Sequence, residues 1–506
     1  MSSIQLSSVA GGAARRFITA LLALACLLSW PASAQLPTLG DTSEMNASTE
    51  RKLGERIARE LYRDPDYIDD PVLDEYVQEI WKRLLAAARA RGELTAELDD
   101  RFAWQVLLGK DRSINAFALP GGWLGLHLGL ISTTATRDEL ASVLAHELSH
   151  VTQRHISRLM TQQNRQTPWI IGAMILGALA ASKSPDAANA MVAGGQALAI
   201  QNQLNFSRDM EREADRIGFG VMTQAGFEPQ GFVTMFDKLQ QAARLNDNGN
   251  FPYLRTHPMN TERIADMQAR QQLMPRTAAT AAPDLVHAMM AGRARVLSNP
   301  GVDALRSYLT EADAAQAGAG RARQAGTLYA AALASAKLRD APAAGRLAGK
   351  LGSLTADDAR ASRLADLLAA EVALQAGDST RAAALAGAAG RPEIILSSQA
   401  GLSGRRAGDT AQRLQTWVAL HPRDAQAWQL LASAYAAQGQ SLRSIRADAE
   451  AHVAHLDYQA GMDRFKAAQE MARKAGAGGA DHVEASIIDT RSRQVESLLR
   501  EQALER

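Results

Sequence analysis

The sequence predicts an α+β protein in which a mainly helical domain with a small sheet is followed by an all-α domain. Alanine is abundant and aromatic residues are only 5% of the 506 residues, which favours helices. Residues 104–108 and 123–131 have the composition of two strands. A break in composition at 275–283 predicts a linker between a domain over 35–275 and a domain over 284–506.

The composition excludes two classes of protein. Apolar residues make up 46% of the chain and its net charge is +1, so it can bury a core and is not a disordered chain held open by repulsion. The 55 basic and 54 acidic residues leave no basic surplus to neutralise nucleic-acid phosphates. The single cysteine, Cys26, has no partner for a disulfide within the chain.

Residues 1–34 are predicted to form a secretory signal that is cleaved after Ala34. Arg15 and Arg16 precede an apolar stretch over 17–30, and Ala32-Ser33-Ala34 supplies the small residues of a cleavage site. The alternative is an uncleaved membrane anchor, although the apolar stretch is short for a span of about 20 residues. Cleavage would give a mature chain without cysteine outside the cytoplasm.

The first part of the mature chain is predicted to be helical and then to form the two strands. Pro65 and Pro71 each follow an aspartate and break the helical pattern over 44–90, because proline cannot continue a helix. Residues 118–122 (Ala-Leu-Pro-Gly-Gly) predict a turn or bulge between the strands. The glycines of the second strand predict that another backbone approaches it closely.

Two further helical regions are predicted before the linker. One helix begins with Thr136 or Asp138 as its cap and runs past His155. The apolar region over 169–200 is interrupted by Lys183 and Pro185, so neither half is long enough to span a bilayer. Two buried or interfacial helices are the simpler interpretation, and contact with a membrane remains an alternative.

The domain over 284–506 has features of tetratricopeptide repeats, in which small residues let two helices pack closely. Four segments fit parts of that pattern, and the clearest is Trp428, Leu431, Ala432 and Tyr435. The last two matches overlap when they are laid on the repeat, so the array is predicted to be irregular. A helical bundle without repeats is the alternative.

The strongest chemical signal is the segment His146-Glu147-Leu148-Ser149-His150. On a helix, residues four apart lie one above the other, so the two imidazoles can share one metal ion while Glu147 reaches a water beside it. His155 is excluded as a third ligand, because on a continuous helix it would lie about 180° from His146. Two surface histidines on an ordinary helix are the alternative.

Glu211 is the better candidate for the third ligand. It lies four residues before Asp215 on a predicted helix, so one carboxylate can bind the metal while the other accepts the outer N–H of a ligating histidine. Without the histidine motif, such a pair would be a solvated helix face. His257 precedes Pro258 and is predicted to lie in an extended loop, followed by a helix capped by Asn260 or Thr261.

These motifs together resemble the gluzincin metallopeptidases related to the CaaX-prenyl protease. The signal segment and the tetratricopeptide-like tail extend the resemblance to the periplasmic members of that family. The catalytic half carries it in four segments: 114–122 (Ile-Asn-Ala-Phe-Ala-Leu-Pro-Gly-Gly), 146–155 (His-Glu-Leu-Ser-His-Val-Thr-Gln-Arg-His), 211–215, and Thr256-His257-Pro258 with Arg263-Ile264. The resemblance implies a gluzincin fold and one zinc ion per chain.

The resemblance also implies a role for each candidate site residue. Zinc would be held by His146, His150 and Glu211, with Glu147 as the general base and Asp215 supporting a ligand. The resemblance implies three further roles, for His257, for residues 245–255 and for residues 121–129.

His257 would occupy the fourth position on the zinc and keep the enzyme latent, because a catalytic zinc needs that position open. Residues 245–255 would form a plug over the cleft, and 121–129 would form an edge strand that pairs with substrate. The group that stabilises the oxyanion is not identified; Arg263 is a guess.

The functional hypothesis is therefore a periplasmic zinc endopeptidase with a chaperone-like role. The resemblance implies that its substrates are misassembled outer-membrane β-barrel proteins and that its tail binds the β-barrel assembly machinery. The alternative is a chaperone or scaffold without protease activity, whose four-ligand zinc is structural. Glu147 separates the two, since a structural site does not require a carboxylate beside the metal.

Overall fold

The structure is a computed structural model that describes residues 45–162, 207–244, 252–274, 284–314, 320–475 and 481–503. These residues form 22 α-helices and one three-stranded sheet, which confirms the predicted fold class. The predicted signal over 1–34, the apolar region over 169–200, the linker over 275–283 and most of the plug lie outside the described residues. None of the described helices combines the length and hydropathy needed to cross a bilayer.

The first three helices are α1 (Ala47–Arg63), α2 (Pro71–Ala90) and α3 (Ala96–Arg101). The predicted breaks are confirmed: α1 ends before Asp64-Pro65, and Asp70 caps α2 by accepting a hydrogen bond from the Leu73 backbone N–H at 2.9 Å. Pro71 begins α2, where its missing N–H costs nothing.

The sheet consists of β1 (Gln105–Gly109), β2 (Ala116–Leu119) and β3 (Trp123–His127), in the order β1-β3-β2. β3 pairs parallel with β1 and antiparallel with β2. The prediction of an edge strand over 121–129 is therefore wrong, because β3 is the central strand. β1 and β2 are the edge strands, and β2 ends with Ala118 and Leu119, the first two residues of the predicted turn.

The predicted second strand is also shorter than expected. It ends at His127 and is followed directly by α4 (Leu128–Thr133). The backbone approach predicted at the glycines is found at Gly129, where a Cβ would lie 2.1 Å from the Arg112 carbonyl oxygen. At Gly125 the close neighbour is a side chain, since a Cβ there would lie 2.1 Å from the Phe117 ring. The glycines therefore make room for neighbouring parts of the fold.

Helix α5 (Arg137–Thr152) is buried along most of its length. Its cap is Thr136, whose hydroxyl accepts a hydrogen bond from the Glu139 backbone N–H. The prediction that this helix runs past His155 is wrong, because Arg154 has a φ of +53° and separates α5 from α6 (His155–Gln162). A left-handed residue cannot continue a right-handed helix.

Four more helices are described before the linker: α7 (Arg208–Gln224), α8 (Gln230–Arg244), α9 (Tyr253–Thr256) and α10 (Thr261–Gln272). Both α7 and α8 pack on α5. Ser207 caps α7 and Asn260 caps α10, the latter as predicted. Because Asn260 caps α10, that helix begins between His257 and the buried Arg263.

The described residues from 285 onward form six helical hairpins. Their helices are α11 (Leu285–Ser298), α12 (Val302–Ala314), α13 (Arg321–Lys337), α14 (Ala341–Thr355), α15 (Ala359–Gln375), α16 (Ser379–Ala386), α17 (Arg391–Ser403), α18 (Ala407–Leu420), α19 (Ala425–Ala437), α20 (Ser441–Ala454), α21 (Tyr458–Ala475) and α22 (His482–Ala503). The first helices of successive hairpins begin 32 to 38 residues apart. Tetratricopeptide repeats have a period of about 34 residues, and the assignment of these hairpins to that repeat stays a prediction.

The hairpins pack against the first part of the chain through a buried ion-pair cluster at the start of α2. Arg293, on α11, contacts both carboxylate oxygens of Asp70 at 2.8 and 2.7 Å and reaches Glu371 at 2.8 Å. Arg391, on α17, pairs with Asp69 at 2.8 Å. Because these arginines come from the hairpins and the aspartates from the segment before α2, the cluster fixes one part on the other.

We expect Arg293→Met to lower the free energy of unfolding by about 3–5 kcal/mol, because it leaves the buried Asp70 carboxylate without its partner. Urea unfolding of the wild-type and variant proteins measures the loss. Arg89→Met is the matched control, since Arg89 and Asp99 form a partly exposed pair worth about 0–1 kcal/mol. Equal losses for the two variants would contradict the role of the buried cluster.

Candidate metal centre

Four buried side chains from three separate parts of the chain meet at one point. His146 and His150 come from α5, Glu211 comes from α7, and His257 ends α9. Each is at most 1% exposed. The candidate ligand atoms all lie within 4.8 Å of one another, so the structure brings together the four residues named from the sequence as zinc ligands.

The spacing of these atoms fits a tetrahedral metal ion. His146 Nε2 lies 3.0 Å from His150 Nε2 and 3.3 Å from His257 Nδ1. Glu211 oxygens lie 3.5 Å from each of the two Nε2 atoms and 3.0 Å from His257 Nδ1. Zinc with ligands at 2.0–2.1 Å separates them by about 3.3 Å, so nitrogen and carboxylate donors in this arrangement suit zinc.

Asp215 orients His146 from behind. Its Oδ1 lies 2.9 Å from His146 Nδ1, while Nε2 of the same imidazole faces the cluster. Asp215 is held in turn by Arg263, whose Nε and Nη2 donate to its two oxygens at 2.6 and 2.8 Å. A carboxylate behind a histidine ligand is the arrangement that fixes the tautomer in metal sites.

Arg263 does not occupy the position guessed for it. Its Nη1 lies 2.7 Å from Glu211 Oε2 and donates to the Pro258 carbonyl oxygen at 3.0 Å. With its other nitrogens turned to Asp215, the buried guanidinium pairs with both carboxylates. The guess that Arg263 stabilises the oxyanion is wrong on this geometry.

Glu147 lies beside the cluster without belonging to it. Its Oε2 accepts a hydrogen bond from the Ala118 backbone N–H at 2.9 Å, and its Oε1 lies 3.4 Å from His257 Nε2. Burial raises the pKa of Glu147 above its ordinary value. A carboxylate with a raised pKa is a stronger base near neutral pH, which suits proton transfer.

The charges in the cluster favour an ionised Glu211. Burial alone would raise the pKa of this carboxyl, but His257, His146 and Arg263 together lower it well below the ordinary value. Burial opposes the protonation of His146, yet its hydrogen bonds to Asp215 and Glu211 raise its pKa to about 9. The site therefore supplies the anionic oxygen that a zinc ligand requires.

His257 is held in place by its own helix. The ring of Tyr253, one turn earlier, stacks on it with centroids 4.5 Å apart, and Tyr253 is 2% exposed. The Tyr253 backbone N–H reaches the Ile114 carbonyl oxygen, at 3.4 Å, just before β2. The short helix α9 thus ties His257 to the segment that leads into the edge strand.

The position of His155 was not predicted from the sequence, which placed it on the same continuous helix as His146. His155 is not among the four clustered residues, in line with its exclusion as a ligand, but its Nδ1 lies 2.9 Å from His150 Nδ1. The break at Arg154 removes the assumption of a continuous helix on which the 180° argument relied. No residue around 153–154 signals that break, because neither Gln153 nor Arg154 is a helix breaker.

A buried two-histidine helix, a glutamate beside it and a carboxylate of α7 at the same point are the pattern typical of a metallopeptidase site. Comparison with known families agrees: residues 71–271 match the model of peptidase family M48. The predicted resemblance is thereby confirmed for this part of the chain.

The relatives extend the comparison beyond the family. A Vibrio cholerae relative is 35% identical over 302 residues, 57% of this chain and 58% of that protein. The beta-barrel assembly-enhancing protease of Escherichia coli is 34% identical over 245 residues, 47% of each chain. The mitochondrial metalloendopeptidase OMA1 of Arabidopsis thaliana is 31% identical over 196 residues, 38% of this chain and 36% of that protein. The chain spans about half the length of the bacterial relatives it matches.

Proposed function

We propose that this chain is a zinc metalloendopeptidase in which His146, His150 and Glu211 hold one zinc ion. The observation that carries the proposal is the convergence of these donors, at tetrahedral spacing, beside a buried carboxylate that is not one of them. Asp215 positions His146, and His257 is the fourth donor that restrains the enzyme. The match to an M48 domain supports the same roles.

Zinc in such a site lowers the pKa of a water molecule and polarises the carbonyl of the substrate. The protein residues provide the rest. Glu147 accepts the proton of the attacking water and can pass it to the leaving amine, because its buried Oε1 lies beside the cluster, 3.4 Å from His257 Nε2. Asp215 and Arg263 keep the His146 tautomer fixed while the charge on the site changes.

An extended substrate would pair with β2. This strand lies at the edge of the sheet, and the Ala118 N–H points away from β3 towards Glu147. A peptide added to this edge would therefore run directly past the proposed base. His257 and α9 lie across the same region, which is consistent with a restrained form of the enzyme.

The biological role is proposed from the relatives. Bacterial relatives are described as beta-barrel assembly-enhancing proteases, so we propose that the substrates are misassembled outer-membrane β-barrel proteins. The chain would act in the periplasm after its signal is cleaved following Ala34. The six hairpins, as tetratricopeptide-like repeats, would bind the β-barrel assembly machinery and give the protein a chaperone-like role.

A second candidate function is a chaperone or scaffold with a structural zinc ion. The observation that favours it is the complete set of four donors, since structural zinc sites are closed. In that case Glu147 would have no catalytic role, although it is buried and accepts a hydrogen bond from the Ala118 backbone N–H. Proteolysis therefore separates the two candidates.

The test is cleavage of an unfolded outer-membrane β-barrel protein by the purified mature chain, together with its metal content. We expect one zinc per chain, and cleavage that a zinc chelator stops and added zinc restores. A chain with stoichiometric zinc that cleaves nothing, even when His257 is replaced, would favour the structural-zinc scaffold. A chain without stoichiometric metal would contradict both candidates.

A further inference from the structure

A chain of hydrogen bonds leads away from His150 on the side opposite the cluster. His150 Nε2 faces the clustered donors, and its Nδ1 lies 2.9 Å from Nδ1 of His155. The other ring nitrogen of His155, Nε2, lies 3.0 Å from Glu213 Oε2. His155 is fully buried, whereas the side chain of Glu213 is 32% exposed, so this series of hydrogen bonds runs from the centre of the fold to its surface.

The chemistry of the two imidazoles fixes the direction of these bonds. A histidine that binds metal through Nε2 carries its proton on Nδ1, so His150 donates and His155 Nδ1 accepts. His155 must then carry its own proton on Nε2, which donates to Glu213. One pair of tautomers therefore satisfies both hydrogen bonds, from His150 to His155 and from His155 to Glu213.

The same helix supports both histidine ligands. Asp215 contacts His146 directly, and Glu213 reaches His150 through His155. An arginine neutralises each carboxylate: Arg263 for Asp215, and Arg158, at 2.8 Å, for Glu213. The two ligands thus have equivalent support, except that the path from His150 to its carboxylate passes through one additional imidazole.

We propose that His155 and Glu213 are positioning residues that fix the tautomer and orientation of His150 and so raise the affinity of the proposed zinc site. The left-handed Arg154 makes this possible, because it ends α5 and turns His155 back onto His150. Supporting partners of this kind contribute about 10–100-fold to metal affinity. The inference rests on the proposed zinc site.

The experiment measures zinc affinity of the full mature chain by competition with a chromophoric chelator. We expect His155→Phe to weaken zinc binding about 10–100-fold, because His150 Nδ1–H loses its acceptor. His155→Asn keeps an oxygen acceptor near the position of Nδ1 and should recover most of the affinity. Circular dichroism of the metal-free proteins shows whether each variant has the wild-type fold.

Two further variants distinguish the hydrogen-bond chain from simple packing of α6 on α7. Glu213→Ala should weaken zinc binding as His155→Phe does, whereas Arg158→Ala removes only the outer partner of Glu213 and should leave the affinity within about twofold of wild type. Nitrogen-edited NMR of the zinc-loaded protein should show a protected Nδ1–H of His150. This signal should disappear in His155→Phe and in Glu213→Ala, and it should remain in Arg158→Ala.

The possible failures are separable. If wild-type protein binds zinc and His155→Phe binds it as tightly, the positioning role is wrong while the proposed function stands. If Arg158→Ala weakens binding as much as His155→Phe, the helix contact and not the hydrogen-bond chain is responsible. If wild-type protein takes up no stoichiometric zinc, the proposed function itself is wrong.

Discussion

Glu147→Gln is expected to lower kcat/KM for an unfolded β-barrel substrate by about 10²–10⁴-fold, which is the contribution of a general base. The amide cannot accept the proton of the attacking water, but it does not remove any of the four clustered donors. One zinc per chain should therefore remain. Cleavage assays and metal analysis on the same preparation measure both quantities.

The contacts of Glu147 determine how this variant is best tested. The carboxylate faces two groups, the Ala118 N–H and His257 Nε2, and an amide has only one oxygen to offer them. The change is therefore made in the His257→Ala background, where the amide oxygen can serve Ala118 alone. In this background, cleavage undiminished by Glu147→Gln would refute the assignment of the base.

Glu139→Gln is the matched control for Glu147→Gln. Glu139 lies on the same helix and is 3% exposed, but it accepts hydrogen bonds from the Ala135 backbone and Lys238, outside the cluster. We expect its variant to keep cleavage within a few-fold of the parent protein. Comparable losses in the two variants would mean that the chemical change disturbs α5 and not the catalytic step.

His257→Ala is expected to raise proteolysis by about 10–100-fold. If His257 occupies the fourth position, only the minor open population is active, and such populations are about 1–10% when the states differ by a few kcal/mol. The remaining donors, His146, His150 and Glu211, are sufficient for a catalytic zinc site. Initial cleavage rates at equal zinc content measure the change.

His287→Ala serves as the control for loss of a buried imidazole. His287 is 1% exposed and contacts Tyr76 and the Thr134 carbonyl oxygen, away from the cluster. The His287→Ala variant should not show raised proteolysis. The restraint by His257 would be disproved if His257→Ala retained one zinc and its activity stayed at or below the wild-type level.

The features predicted correctly from the sequence are those set by local geometry. His146 and His150 share a face because they are four residues apart on one helix, and the same spacing places Glu211 and Asp215 together. Pro71 and Asn260 mark helix starts through their own backbone and side-chain chemistry. Such features depend on a few neighbouring residues.

Two of the errors arose where distant segments pack together. Residues 121–129 have the composition of a strand, but the position of that strand in the sheet depends on which segments pair with it, and β1 and β2 pair on its two sides. The role guessed for Arg263 failed because the chain returns this side chain to Asp215 across 48 positions. Composition does not specify such pairings.

By itself the sequence determined that the protein has a two-histidine helix with an adjacent glutamate, a carboxylate pair on a later helix and an all-helical second half. Only the tertiary structure shows that His155 turns back onto His150 and that the hairpins are fixed to α2 through Arg293. It also brings His257, whose place at the zinc was implied only by the family resemblance, into the cluster. The reason is physical: helical periodicity is set within a few residues, whereas contacts between distant segments depend on how the whole core packs.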